Sequence, residues 1–396
     1  MKSFKQMFGL VSILLLALVV TGCLLKSPEV DPYAHLKPAE VSLQGSDWQT
    51  VIDNEIIYSG NSMSTAIQAA IDNLGEGIIH IRNSGNLDKR VNLKSNQVLN
   101  FHHHEIKASN NFRGYEVENV TLLNLYMTGD ASRSIDFHKS SNLHFHNIVL
   151  EFTGKTVGIR IDNRNDEGKY IKGSTNNVKI TGEMRIENTR GHGFETYGVN
   201  GLTAEKIVTR NTEDCGVLLN DSRNVYIGII EAYKPAAGNN GYAGFRVANF
   251  NGPNVVVDKV IVRDSGGRGF FSVSGSHGTT INYLDIDGTR LQGAFIQSSQ
   301  DTTINGGIIT GYAKYGVQLS NGAHAGGDTR NVTIQNLRVV ASRNHSQAVG
   351  IEESRGTWDN KFLNNDLRNA GRARSHDLIL RSGSGSIAEG NILTGD

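Results

Sequence analysis

The segments "GFETYG" (193–198), "GVLLND" (216–221) and "GFRVAN" (244–249) share one pattern, a glycine followed by apolar residues at every second position. Alternation with a period of two indicates β-strands whose side chains point to opposite faces. Similar steps begin at Gly114, Gly158, Gly269, Gly293, Gly316 and Gly350. From Gly193 to Gly316 the successive starts differ by 23, 28, 25, 24 and 23 residues. A strand that recurs at this period predicts a solenoid in which each repeat forms one coil.

A second apolar strand follows many of these steps and begins with asparagine. Examples are "NVTLLNL" at Asn119, "NVYIGII" at Asn224 and "NVTIQNL" at Asn331. Asparagine tolerates the left-handed backbone conformation that stacked turns use. Two strands and a third short segment per coil predict an all-β protein, a parallel β-helix with three faces. Leucine-rich repeats are the main alternative, but isoleucine, valine, phenylalanine and alanine share the inward positions with leucine here.

One amphipathic helix is predicted ahead of the strand array, in "STAIQAAIDNLG" (64–75). Its apolar residues recur at the helical spacing i, i+3, i+4, i+7, at Ile67, Ala70, Ile71 and Leu74. Thr65 and Gln68 fit a capping box, and Gly75 fits the end of the helix. We expect this helix to cap the open end of the solenoid.

The N-terminus resembles a bacterial lipoprotein signal. Lys2 and Lys5 precede an apolar run from Leu10 to Val20, which ends in "VTGC" at Cys23. The run is shorter than the ~20 apolar residues of a membrane-spanning helix. We therefore expect cleavage before Cys23 and lipidation of its thiol; an ordinary secretory signal is the alternative. Leu24, in place of a retention aspartate, indicates a cell-envelope lipoprotein sorted to the outer membrane.

Residues 24–45 hold three of the five prolines and show no apolar periodicity, which predicts a tether between residues 1–23 and a β-helix domain at 46–396. If Cys23 is acylated, Cys215 has no disulfide partner. Lysine plus arginine balances aspartate plus glutamate at 39 each, so no summed charge attracts nucleic acid. We expect a monomer that contacts the membrane only through its lipid.

The predicted helix cap, the asparagine turns and the glycine-apolar rungs together resemble right-handed parallel β-helix proteins of the pectate-lyase-like superfamily. The resemblance covers residues 46–396. It implies a right-handed coil and a carbohydrate-related function, because the superfamily includes polysaccharide lyases, glycoside hydrolases, uronate epimerases, adhesins and phage tailspikes.

Strand alternation places a set of ionisable side chains on one outer face. With Phe194 and Thr196 inside, Glu195 and Tyr197 point outward. The same phase puts Glu116 and Glu118 outward on the rung at Gly114. Across the central rungs it predicts one stripe of Asp136, Arg160, Glu195 and Arg246, and a second of His138, Asp162, Tyr197 and Asn220. A solvated sheet face with compensating charges is the alternative for each residue.

Later rungs lose charge and gain aromatic residues. The predicted substrate-binding residues are Asn220, Asn249, Phe271, Phe295 and Gln297. A charged centre beside aromatic platforms suits an acidic sugar chain. The predicted partner is therefore an acidic polysaccharide, of pectin or alginate type or from a biofilm matrix.

β-Elimination is the leading hypothesis for the chemistry: a uronate carboxylate is neutralised, a base removes the C5 proton, and the 4-linked oxygen leaves. The candidate catalytic residues are His138, Arg160, His192, Glu195, Tyr197 and Arg246. A calcium-dependent version uses Asp136, Asp162 and Glu195 as oxygen ligands. The sequence does not choose between the two versions.

Three alternatives stay open on the same face. Inverting hydrolysis needs two carboxylates about 6.5–9.5 Å apart, for which Asp162 and Glu195 are the pair. Uronate epimerisation and non-catalytic glycan binding are the others. Elsewhere, "FHHHEI" (101–106) reads as a surface strand with His102 and His104 on one face, with a metal site as the alternative.

Overall fold

The computed structural model describes residues 32–154, 156–165, 167, 176–238, 241–322, 327–342, 346–381 and 385–396. Residues 36–396 form one compact unit, and the described residues of the preceding unit, 32–35, form a turn. Residues 1–31, including the predicted signal and Cys23, lie outside the described residues.

The expected parallel β-helix is confirmed. One sheet contains twelve strands, all parallel, which are Val91–Asn92, Phe112–Tyr115, Arg133–His138, Val157–Asp162, Phe194–Tyr197, Val217–Asn220, Ala243–Ala248, Arg268–Val273, Gln292–Gln297, Tyr315–Ser320, Val349–Glu353 and Leu378–Leu380. We call it the twelve-stranded sheet. Each of its strands comes from a different coil.

The other described strands form the second sheet, which covers the remaining faces. They are Pro38–Gln44, Asp47–Ile52, Glu55–Gly60, Gly77–Ile81, Gly85–Leu87, Gln97–Asn100, Glu105–Ala108, Glu118–Leu123, Tyr126–Gly129, Ser141–Phe152, Val178–Thr189, Asn200–Thr212, Arg223–Tyr233, Val255–Ser265, His277–Thr289, Gln300–Ile304, Gly307–Tyr312, Thr333–Gln335, Leu337–Val340, Lys361–Leu363 and Ile387–Glu389. Ser141–Phe152 pairs with both Glu118–Leu123 and Tyr126–Gly129, so one long strand serves two faces of its coil.

The single α-helix of the described chain, Met63–Leu74, buries Ala66, Ile67, Ala70, Ile71 and Leu74, as its spacing predicts. The predicted capping box is wrong, because Ser62 is the N-cap and its side chain accepts from the backbone N–H of Thr65. A short 3-10 helix, Arg374–His376, occurs near the C-terminus.

The folded domain begins earlier than residue 46. Pro38–Gln44, inside the predicted tether, pairs antiparallel with Asp47–Ile52 and parallel with Gly77–Ile81. Ala39 and Val41 are fully buried in the core. The prolines alone suggested an extended tether, but the alternating apolar residues Ala39 and Val41 pack inward and make this segment a strand of the domain.

Stacked asparagine turns hold successive coils in register. Asn119 Nδ2 donates to Asn96 Oδ1 at 2.7 Å, and Asn142 Nδ2 donates to Asn119 Oδ1 at 3.0 Å. Asn224 and Asn254 repeat the contact at 2.9 Å, and all five asparagines have positive φ. The predicted role of asparagine in these turns is confirmed.

Candidate active site

Two columns of outward side chains run across the twelve-stranded sheet. The first column is Arg113, Asp136, Arg160, Glu195, Leu218 and Arg246, each paired with the next through the strand register. The second is Tyr115, His138, Asp162, Tyr197 and Asn220. The structure therefore makes neighbours of the residues that the alternation predicted to be neighbours.

The predicted phase was wrong on one rung. Arg113 pairs with Asp136 and Tyr115 pairs with His138, so these two residues, not Glu116 and Glu118, extend the columns. Glu116 follows the end of that strand and has positive φ. The error arises from treating Gly114 as the glycine that opens the rung, whereas it occupies an inward position within the strand. Phe112, the buried apolar residue before Arg113, is the sequence signal that gives the correct alternation.

A groove of about 350 Å³ opens beside Asp136. Its lining residues are Arg90, Asn110, Asn111, Arg113, Ser132, Arg133, Asp136, His138 and Arg160. Four of them are arginines and one is a carboxylate. Within the described chain, Arg90 and Arg113 form no ion pair with a carboxylate, so the groove carries an excess of positive charge. Three of these arginines, Arg90, Arg113 and Arg133, were missed in the sequence.

Asp136 and His138 form a hydrogen-bonded pair at the wall of this groove. The Nε2 atom of His138 lies 3.0 Å from Asp136 Oδ2, and Arg133 Nη1 donates to Asp136 Oδ1 at 3.2 Å. Burial alone would raise the pKa of Asp136, but the bond from His138 and the charges of Arg133 and Arg113 lower it overall. An ionised Asp136 accepts the Nε2–H of a neutral His138, which leaves Nδ1 as the basic nitrogen.

Asp162, on the strand Val157–Asp162, is held by Arg160 of the same strand and by Arg164 just after its end. Arg164 donates to it through Nε at 2.8 Å and Nη2 at 2.6 Å, and Arg160 Nη2 donates at 2.9 Å. Burial would raise the pKa of Asp162, but these hydrogen bonds outweigh it and hold the pKa at about 2. The Arg164 guanidinium also lies 3.8 Å from the centre of the Tyr197 ring. At neutral pH Asp162 is therefore ionised and fully engaged by these two guanidiniums.

Glu195 lies in a different environment, although it is in the neighbouring column. It is buried, with Arg160 Nη1 at 3.8 Å and His192 Nε2 at 3.7 Å. Burial raises the pKa of Glu195. Burial also lowers the pKa of His192 to about 4, and His192 Nδ1 accepts the backbone N–H of Cys215 at 3.1 Å. A neutral His192 therefore carries its proton on Nε2, on the side of Glu195.

The predicted aromatic platforms do not present open faces. Phe271 and Phe295 stack on each other with ring centres 5.1 Å apart, and their exposed fractions are only 4% and 6%. The Arg268 guanidinium lies over both rings, at 4.5 and 5.1 Å. With Leu218, Cys215 and neighbouring apolar residues they form an outer apolar cluster, so a sugar cannot stack on them in this structure. Burial raises the pKa of the Cys215 thiol to about 12.

The remaining predicted binding residues belong to the edge of this cluster. Asn220 is buried and its Oδ1 accepts from Asn249 Nδ2 at 2.9 Å. Gln297 follows in the same column as Val273, next to Phe295. The structure thus separates the predicted site into a charged part around Asp136 to Tyr197 and an apolar part around Leu218 to Gln297. The predicted roles of these residues in binding stay predictions.

The carboxylates proposed for calcium do not gather around a common point. No group of three histidine, cysteine, aspartate or glutamate side chains suited to a metal ion occurs among the residues that the structure describes. Asp136, Asp162 and Glu195 each face a guanidinium instead.

His102 was predicted in a strand but lies in a turn. Its Nε2 atom is 2.9 Å from His80 Nδ1 and 3.0 Å from Arg82 Nη1.

Fold and groove together define a parallel β-helix protein with an arginine-rich groove on one sheet. The family model described as "NosD: Periplasmic copper-binding protein (NosD)" matches residues 174–378, just over half of the chain. The chain belongs to this family. The periplasmic description agrees with the expectation of a cell-envelope or secreted protein, and no helix in the described ranges has the length and apolar character to cross a bilayer.

Solved structures with the same fold include two modules from Azotobacter vinelandii. The mannuronan C-5 epimerase AlgE6 A-module aligns with a TM-score of 0.50 and 18% identity, covering 84% of this chain and 95% of the module. The AlgE4 A-module aligns with a TM-score of 0.51 and 15% identity, covering 84% and 96%. At these identities the similarity shows the fold alone. No curated protein matches the chain.

The described residues do not fit a copper centre. Copper would call for imidazole or sulfur ligands converging on one point. His80 and His102 face each other with a guanidinium beside them, and among the described residues they belong to no group of three possible metal ligands. His144 Nε2 and His146 Nδ1 both meet the Thr181 hydroxyl, at 2.8 and 2.9 Å. Cys215 is buried in the apolar cluster.

Proposed function

We propose that this protein binds a uronate-containing polysaccharide in the arginine-rich groove and cleaves it by β-elimination, as a monomer anchored in the envelope by its lipidated Cys23. The observation that carries the proposal is the 350 Å³ groove in which four arginines surround the Asp136–His138 pair. Excess positive charge selects an anionic polymer, and the pair supplies a base next to it.

The columns suggest how the groups act. Arg113 and Arg160 flank Asp136 on the two adjacent strands, each one strand spacing of ~4.8 Å away. A uronate carboxylate of the substrate that binds these guanidiniums has its negative charge neutralised, and this makes the proton on the adjacent C5 more acidic. His138 Nδ1 takes that proton, and the charge of Asp136 stabilises the resulting imidazolium.

The electron pair of the broken C5–H bond forms a C4–C5 double bond as the C4–O bond breaks. The leaving oxygen needs a proton. Tyr115 lies next to His138 on the adjacent strand, is 46% exposed and has Lys139 Nζ 3.2 Å from its hydroxyl. We assign it the role of acid, in preference to Tyr197, whose ring is covered by Arg164 and whose pKa burial raises. His138 then returns its proton to water, and the Tyr115 phenolate takes a proton from water, which restores both groups.

C5 epimerisation is the second candidate. It is favoured by the names of the two solved structures with a similar fold, since both are modules of mannuronan C-5 epimerases. It shares the neutralised carboxylate and the loss of the C5 proton. It differs in the second half, because a proton returns to the opposite face of C5 and the C4–O bond stays intact. The groove residues named above serve either outcome.

The test uses the chain without residues 1–23, with a panel of uronate polymers in D₂O. A lyase raises ultraviolet absorbance and reducing ends together. An epimerase incorporates deuterium at C5 and raises neither, and a hydrolase raises reducing ends alone. His138→Ala should abolish the signal, whereas His144→Ala, on the other sheet, should keep it. Absence of all three signals on every polymer would leave a binding protein and refute the catalytic proposal.

A further inference from the structure

Two arginines meet at one aromatic ring in the outer apolar cluster. Arg246 and Arg268 lie on adjacent strands, and their guanidinium carbons are 5.1 and 4.5 Å from the centre of the Phe271 ring. Stacking on a ring holds the plane of a guanidinium, and its N–H groups point outward along that plane. The ring therefore orients two cationic forks in one place.

The charge of Arg246 has no carboxylate partner within ion-pair distance in the described part of the chain. Its Nη1 makes a 3.4 Å contact with the carbonyl oxygen of Gly241, and its Nε is buried without a hydrogen-bond partner. Arg133 and Arg160 on the same sheet both pair with aspartates. A half-buried cation without a counter-charge is costly, so this arrangement indicates a ligand.

Arg268 adds to this local excess of positive charge. Its Nε donates to Gln292 Oε1 at 2.9 Å. Burial first, and then the nearby charge of Arg246, lower the pKa of Arg268 to about 10. An anion bound by Arg246 would offset both effects, because it supplies the counter-charge that Arg246 lacks in the described chain and lies near Arg268, in a site with apolar walls.

We propose that Arg246, with the charge of Arg268 beside it, forms a second carboxylate-binding site for the same polysaccharide, away from the sugar that reacts at His138. This inference rests on the proposed function. Arg246 belongs to the column of Asp136 and lies four strands further along, which is ~19 Å at the usual strand spacing. A polyuronate lying along the column and reacting near Asp136 therefore extends over this site. The enzyme consequently favours substrates long enough to span both.

The experiment measures kcat and KM on oligouronates of graded length for the wild type and for Arg246→Gln. Loss of a charge-assisted bidentate contact should raise KM about tenfold on long substrates, and by much less on the shortest. Arg246→Lys, which keeps the charge but not the planar fork, should recover part of the loss. Arg263→Gln, an arginine on the other sheet paired with Asp285 at 2.8 Å, is the matched control and should follow the wild type.

A KM increase independent of length, or no increase, would overturn the second site while leaving the proposed function intact. Binding of long polyuronates in affinity gels separates the reverse case. If the wild type turns over no polymer but binds it, and Arg246→Gln weakens that binding, the second site stands and the proposed function fails. If the wild type neither binds nor turns over any polyuronate, both fail.

Discussion

The twelve-stranded sheet carries two different surfaces on one backbone. From Arg113 to Tyr197 its outward side chains are mostly ionisable, whereas from Leu218 to Phe295 they are mostly apolar. The inward side chains do not change in this way: Ile135, Ile159, Phe194, Val217, Phe245 and Phe270 are all fully buried. The comparison shows that the inner face fixes the coil, while the outer face can change from charged to apolar without altering it.

The largest effect should come from the charged half. We expect His138→Ala to lower turnover of the preferred polyuronate by about 10²–10⁴-fold, because a positioned base is removed. Circular dichroism should show an unchanged fold, since His138 is on the outer face. The matched control is His144→Ala, which removes a half-buried histidine from the other sheet and should keep turnover within about twofold of wild type. Equal losses in both variants would remove the functional distinction between the two sheets.

The second prediction compares the two sides of one strand. Phe270 points inward and stacks on Phe245, and Phe271 points outward into the apolar cluster. Phe270→Ala should lower the free energy of unfolding by about 3–5 kcal/mol, because it leaves a closed cavity. Phe271→Ala should cost about 1–3 kcal/mol, since only the flexible Arg268 side chain covers its ring and can settle into the space. Denaturant unfolding of both variants measures the difference, and a larger cost at Phe271 would contradict it.

The third prediction concerns the unpaired arginines of the groove. Arg90→Gln and Arg113→Gln should each weaken binding of a polyuronate about fivefold, the effect of roughly 1 kcal/mol. The loss should shrink at high salt, because these side chains are partly exposed. Arg210→Gln is the control, since Arg210 is paired with Glu187 at 3.3 Å on the other sheet. Titrations at two salt concentrations check both statements.

The fold and the columns were predictable because a period of two, repeated at the length of a coil, determines which side chains become neighbours. Asp136, Arg160 and Glu195 were placed together from this rule alone. One rung was wrong because Gly114 imitates the glycine that opens other rungs. Alternation predicts the direction of the Arg113 side chain only after one inward residue of the same strand has been identified.

Two other features were beyond the sequence for a different reason. Phe271 and Phe295 are covered by Arg268, and alternation does not reveal how a long side chain folds back over its neighbours. Arg90 comes from a segment just before a two-residue strand, Val91–Asn92, which is too short to show a pattern. Side-chain direction outside strands depends on packing that only coordinates give.

Smaller effects than the loss of a base or of a core ring should appear in the pH dependence of stability, where two carboxyls of the charged half contribute with opposite signs. Asp162 has a folded pKa of about 2 against an ordinary 3.8, so its contribution is present above about pH 4 and is lost as the pH falls toward 2. Asp162→Asn should therefore lower the free energy of unfolding by about 1–2 kcal/mol at pH 7 and match the wild type near pH 2.

Glu195 has a raised pKa, so the folded state loses stability as the pH rises from the ordinary glutamate pKa to the raised one. Glu195→Gln should be at least as stable as wild type at pH 7, and any gain should vanish below pH 4. Unfolding curves from pH 2 to 8 test the pair; parallel losses in both variants would mean that Arg160 compensates the two carboxyls equally, and the electrostatic difference between these adjacent columns would disappear.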